Sequence, residues 1–112
     1  FYFLYAEANL CGYMKVNEGD AQTDLCDPEA LELERIYVRR SFHGSGFGKL
    51  LMEKALALAQ DKGKRFVWLG VWEKNTAAIG FYKRMGFVEF ARHDFWMGDD
   101  CQHDLLLRRD LV

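Results

Sequence analysis

Tyr37-Val38-Arg39-Arg40-Ser41-Phe42-His43-Gly44-Ser45-Gly46-Phe47-Gly48-Lys49-Leu50-Leu51 sets three glycines between a strand-like run and a helix-like one. Glycine reaches backbone conformations that a Cβ forbids and lets a chain pass close to a ligand. The start of a helix carries about half a positive charge and leaves its first N–H groups free. Such a stretch suits an anion, a phosphate above all. Arg39, Arg40 and Lys49 bring the densest group of cations in the sequence to the same place. Two phosphate loops do not fit the spacing. A Walker loop would need glycine at His43 and a hydroxyl at Leu50. A dinucleotide fingerprint would need glycine at Lys49.

The elements on either side follow from apolar spacing. After the glycines, Phe47, Leu50, Leu51, Ala55, Leu58 and Ala59 recur every three or four residues, which predicts an amphipathic helix ending near Gly63. Arg65 to Trp72 is a near-continuous apolar run, suited to a strand covered on both faces. Asn75 reads as the N-cap of a second helix through Met85, stopped by Gly86. Phe87–Met97 and Leu105–Leu111 read as strands around the polar turn Gly98-Asp99-Asp100.

Before the glycines, Leu31 and Leu33 share one parity while Ile36 and Val38 take the other. A slip of one residue inside a strand is what a β-bulge produces, and it falls near Glu34 and Arg35. The expectation is an opening in the sheet at that point. Phe1–Glu7 and Leu10–Val16 form a hairpin around Ala8-Asn9, and Asn17–Pro28 is loop. The resulting order of three strands, helix, strand, helix and two strands gives a mixed α/β sheet with at least one parallel crossover.

Composition sets the outer limits. The 112 residues are 50% hydrophobic and 29% charged with a formal net charge of -2, which makes residues 1–112 one small domain. No apolar run approaches the roughly 20 residues that span a bilayer, and a cytoplasmic setting is the default. The mild acidity gives no electrostatic case for binding nucleic acid. Cys11, Cys26 and Cys101 have no C-x-x-C spacing and read as packing thiols, with no metal site expected. The opening Phe1-Tyr2-Phe3-Leu4-Tyr5 is a bare aromatic strand, so the chain reads as a fragment or as a domain completed by a partner, a homodimer included.

His43-Gly44-Ser45-Gly46-Phe47-Gly48 resembles the Gln/Arg-x-x-Gly-x-Gly/Ala loop of the GNAT superfamily of N-acetyltransferases, with histidine at the first place. Asn75-Thr-Ala-Ala-Ile-Gly-Phe-Tyr-Lys-Arg-Met-Gly-Phe87 resembles that family's N-x-x-A-x-x-F-Y-x-x-x-G-F signature at the expected distance. The likeness runs from Leu31 to Leu111, and the tail Phe95 to Asp104 is similar to that of diamine and spermidine acetyltransferase-like members. The resemblance implies an acyl-CoA N-acyltransferase-like fold: a mostly antiparallel mixed sheet, a splayed parallel strand pair and two main helices. It also implies a further strand and two helices ahead of the hairpin, which strengthens the fragment reading.

By the same resemblance the cosubstrate is acetyl-coenzyme A. Its pyrophosphate is expected on the amides of His43, Gly44, Ser45, Gly46, Phe47, Gly48 and Lys49, with Arg39, Arg40 or Lys49 adding charge. Its pantetheine arm is expected to pair with Ile36, Tyr37 and Val38 and to touch Asn75. Tyr82 matches the tyrosine that many members use as an acid toward the departing thiol. Full proton transfer from a phenol of pKa about 10 to a thiolate of about 8.5 is uphill by about 2 kcal/mol, so hydrogen-bond donation or concerted transfer is expected. Glu34 at the bulge is the candidate base, with an ordinary exposed strand glutamate as the other reading, and an N–H near Val38 could serve the oxyanion. Trp72, Phe95 and Trp96 are candidates for the acceptor side, and Asp99, Asp100 and Asp104 suit a cationic amine. His93 and His103 read as structural or surface residues.

The expected function is transfer of an acetyl group to a primary amine of a polyamine-like small molecule or of a protein. A non-catalytic acyl-CoA-binding module is the alternative, and a nucleotide-binding domain of another fold the weaker third reading.

Overall fold

The aromatic residues that open the chain pair at once into a hairpin. In the computed structural model, which describes residues 1–111 apart from the side chain of Phe95, β1 (Tyr2–Ala6) and β2 (Asn9–Asn17) are joined by Glu7-Ala8. Both turn residues have positive φ, 51° and 72°, the geometry that matches the twist of two antiparallel strands. The turn lies one residue earlier than the spacing suggests. β3 (Ala30–Val38) follows after the loop, then α1 (Phe47–Asp61), β4 (Phe66–Trp72), α2 (Thr76–Arg84), β5 (Val88–Met97) and β6 (Asp100–Asp110).

The six strands lie in the order β1-β2-β3-β4-β6-β5, and the β3–β4 pair is parallel. Lys15 faces Arg35 and Val16 faces Leu33, so Glu34 is the extra residue of a bulge in β3, where the parity slip put it. One difference from the sequence reading lies at the last hairpin. Asp100 to Asp104 is strand rather than turn, and the turn is Gly98-Asp99 alone. Pairing with β5 from Met97↔Asp100 onward, and with β4 at Trp72↔Asp104, gives this polar run backbone partners that outweigh its poor strand propensity.

Alternation along β4 divides the core. Val67, Leu69 and Val71 point to the face that carries both helices, where they join Leu51, Met52, Ala55, Leu105 and Leu107. Phe66 and Trp68 point to the other face with Ala30 and Leu106. Burying each such side chain contributes about 1.5–3 kcal/mol. The Trp68 indole N–H, deep in the sheet, donates to Gln22 Oε1 at 2.7 Å and so anchors the Asn17–Ala30 loop. Of the cysteines only Cys11 is a buried packing thiol. Cys26 sits exposed on that loop, and Cys101 is half-buried near Asp94 and His103, because neither position faces the core. No helix among the described residues is long and apolar enough to cross a membrane.

Candidate active site

Only three residue pairs hold β3 to β4: Ala30/Phe66, Leu31/Val67 and Glu32/Trp68. Past them, at the Glu34 bulge, β3 and β4 diverge. The Arg39 N–H donates to the Cys11 carbonyl at 2.7 Å, so by strand alternation the polar groups of Tyr37 and Arg39 face β2. Those of Ile36 and Val38 face the fork, with β4 no longer there to meet them.

On the helix side the fork opens into a cleft of about 540 Å³ lined by Ile36, Val38, the glycine loop, Lys49 and the α2 residues Ala77, Phe81, Tyr82 and Arg84. The loop enters α1 through Gly46, whose left-handed backbone (φ 79°) replaces a side-chain cap. Gly44 is also left-handed at φ 81°, and a Cβ on either residue would meet open space. The first helical bond of α1 is Leu50 N–H to the Gly46 carbonyl. The amides of Gly44, Gly46, Phe47, Gly48 and Lys49 therefore have no backbone partner among the described residues and form an anion cradle. The amides of His43 and Ser45 are already bonded to the Arg40 and Phe42 carbonyls.

The structure gathers most of the expected residues and separates a few. His43 turns back on the strand, its Nε2–H donating to the Val38 carbonyl at 2.7 Å, which ties loop to fork. Tyr37 lies on the opposite face, half-exposed against Tyr13 at 5.7 Å between ring centroids. The Arg39 guanidinium reaches the Leu10 carbonyl at 3.2 Å, and neither it nor Arg40 lines the cleft. Asn75 caps α2, its side chain accepting the Ala78 N–H at 3.3 Å. Trp72 and Trp96 are exposed and line no cavity of the fork. Asp99 and Asp100 sit at the hairpin tip. The side chain of Phe95 lies outside the described residues.

A second cavity, of about 330 Å³, occupies the helix-free face of the same fork. Glu34 and Gly70, each two residues past the last β3–β4 pair, line it together with Glu32, Asp104, Asp24 and His93. Two cavities on opposite faces of one sheet thus flank the place where β3 and β4 part.

Residues 1–87 match the model of the Acetyltransferase (GNAT) family, more than three quarters of the chain. The chain belongs to the GNAT acetyltransferase family. It is 46% identical over all 112 residues to an uncharacterized N-acetyltransferase of Lactobacillus delbrueckii subsp. lactis and covers 65% of that protein. The chain thus spans just under two thirds of the length of that curated relative. Among solved structures it is similar to nourseothricin acetyltransferase, with a TM-score of 0.77, 26% identity, and 95% of this chain and 61% of that one covered. It shares its fold with a Bacillus subtilis acetyltransferase solved in complex with CoA, at a TM-score of 0.78, 23% identity, and 96% and 74% covered.

Within this GNAT chain the electrostatics of the two cavities differ. Burial between Phe81 and Phe87, whose rings lie 5.6 and 6.1 Å from it, pushes the Tyr82 phenol above its ordinary pKa and keeps it a donor. Glu34 accepts from Asn17 Nδ2 at 2.9 Å and neighbours Lys15 Nζ at 3.2 Å and Arg35 Nε at 3.4 Å. The Asn17 hydrogen bond first, then these cations, hold its carboxyl below the usual range. Glu32, fully buried, is bonded only to neutral donors of Asn17 and Thr23, and neither it nor Asp104 has a cationic partner among the described residues.

Sequence reasoning missed Arg84, which shares a face of α2 with Ala77 and Phe81 at spacings of four and three, a signal open to reading. It also missed Glu32, Asp24, His93 and Gly70, for which no local signal exists.

Proposed function

We propose that the chain forms the acyl-transfer core of an acetyl-coenzyme A-dependent N-acetyltransferase whose acceptor is a cationic primary amine, either of a polyamine-like small molecule or of a protein lysine. The placement of one cavity on each face beside the fork carries this reading: one ligand can approach from each face, toward the place where the strands part. Family membership and the CoA complex of the B. subtilis relative support the identity of the first ligand. The residues here fit it. Free amides at Gly44, Gly46, Phe47, Gly48 and Lys49 suit a pyrophosphate, with Lys49 and Arg84 adding charge. The strand groups of Ile36 and the N–H of Val38, which face the fork, suit an extended amide-bearing arm.

Bound acetyl-coenzyme A supplies an acetyl group activated as a thioester. The chain's own parts then have distinct tasks. The Val38 N–H, aimed into the fork, can stabilise charge on the carbonyl oxygen. The Tyr82 O–H can donate a hydrogen bond to the departing sulfur, and its raised pKa makes full ionisation still less favourable than the ordinary 2 kcal/mol gap. A donor held in the cleft also favours turnover over the binding-only alternative. On the other face, Glu32 and Asp104 place negative charge where an ammonium would enter. A homodimer belongs to the same proposal.

Calorimetry on the intact protein tests the reading. Acetyl-coenzyme A is expected to bind one to one, and Gly46→Val, which forces a branched side chain into a left-handed position, is expected to weaken it about tenfold. Absence of binding by the unaltered protein overturns the proposal. Thiol release with 1,4-diaminobutane or a lysine peptide as acceptor then separates the small-molecule from the protein reading.

A further inference from the structure

A primary amine with a pKa of about 10.4 is almost wholly ammonium at neutral pH, and its nitrogen has no lone pair with which to attack. Some group on the acceptor side must take a proton. Glu34 is poorly suited: its oxygens already accept from Asn17 and face Lys15 and Arg35, all of which favour the bare carboxylate.

The cavity on the helix-free face holds another titratable group. His93 Nδ1 lies 2.8 Å from Asp24 Oδ2. A carboxylate only accepts, so Nδ1 carries the hydrogen, and in the neutral ring Nε2 then holds the lone pair. Asp24 itself is held in place from the adjoining residue, because Thr23 donates both its N–H and its hydroxyl to the buried Glu32 carboxylate. A nitrogen base oriented by a carboxylate behind it is the arrangement general bases use. The charged groups around the ring are Asp24 on the loop, Asp104 directly across on β6, and Glu32 and Glu34 beyond on β3. Arg92, next along β5, is turned to Glu73 and Glu89. These carboxylates can keep an ammonium beside the imidazole. Glu34 and Gly70 at the fork and His93 on β5 line this same cavity of about 330 Å³, roomy enough for several waters at ~30 Å³ each, so water within it can link the amine to the ring.

Resting on the acetyltransferase reading above, we propose that His93, oriented by Asp24, is the proton acceptor for the acceptor amine. One N–H bond of the ammonium breaks as one forms at Nε2. The amine is left neutral with its lone pair free, and the imidazolium returns the proton to solvent.

Thiol release from acetyl-coenzyme A with 1,4-diaminobutane, followed as kcat/KM against pH, tests this alongside calorimetry of acetyl-coenzyme A. The unaltered protein is expected to show a limb on the acid side of the profile that depends on the imidazole. His93→Gln is expected to lose that limb and about 10²-fold in rate while binding acetyl-coenzyme A as before. Asp24→Asn should displace the limb, and Glu34→Gln should retain it. Nitrogen-15 spectra of the His93 ring should show the Nδ1–H tautomer in the unaltered protein. Intact binding with the limb kept in His93→Gln, or a ring protonated at Nε2 instead, overturns the role of His93 alone. Failure to bind acetyl-coenzyme A overturns the acetyltransferase reading and this role together.

Discussion

Tyr82 and Glu34 both lie beside the fork, and their surroundings push them in opposite directions. Burial raises the phenol of Tyr82, so it stays a donor throughout the neutral range. Tyr82→Phe is expected to lower kcat by about 10²-fold with little change in the calorimetric Kd for acetyl-coenzyme A, since only the hydroxyl is lost. For Glu34 the folded pKa lies below the ordinary 4.5. A lowered carboxylate pKa contributes stability that is fully present above the unfolded value and lost as pH falls through the folded one. Denaturant unfolding should therefore show Glu34→Gln less stable than the unaltered chain at neutral pH, by at most about 1 kcal/mol, with the gap closing in acid below 4.5. Both residues could be picked out in the sequence, Tyr82 by its motif and Glu34 by the parity slip. The Asn17 side chain that sets the state of Glu34 could not, since it joins the site only through strand pairing.

Among the elements, β3 is the strand on which the site is built. Alternation sets Glu34 beside Glu32 on the helix-free face, the bulge then returns Ile36 and Val38 to the helix side, and the pairing with β4 ends three residues in. Its other neighbour, β2, approaches closely at Gly12, where a Cβ would stand 2.3 Å from the Tyr37 carbonyl oxygen. Gly12→Ala is expected to push the two strands apart and destabilise the chain by about 1–3 kcal/mol, read as a lower midpoint in thermal or urea unfolding. Element boundaries were largely legible, because helix caps, glycine stops and apolar period are local. The start of β6 was not. Asp100 to Asp104 is polar enough to read as turn, and only its two neighbouring strands make it extended.

At the scale of the molecule, one sheet separates an amide-lined cleft from a carboxylate-lined cavity, and both lie beside the gap where β3 and β4 part. Gly70 keeps the second cavity open: a Cβ there would be in ordinary contact with Leu106 Cδ2 at 3.5 Å, and anything larger would project into the space. Gly70→Val is expected to raise KM for an amine acceptor about tenfold while leaving the Kd for acetyl-coenzyme A unchanged, measured by thiol release and calorimetry respectively. The sequence by itself determined the helices, most of the strands, the bulge and the glycine cradle, because each rests on residues within a turn or two of one another. Only the tertiary structure decided that Ile36 and Val38, and not Tyr37, face the fork. It alone brought Asp24 to His93, 69 residues away. Strand register and the path of a loop across a sheet are set by long-range packing, and a linear pattern carries no record of which distant side chains that packing makes neighbours.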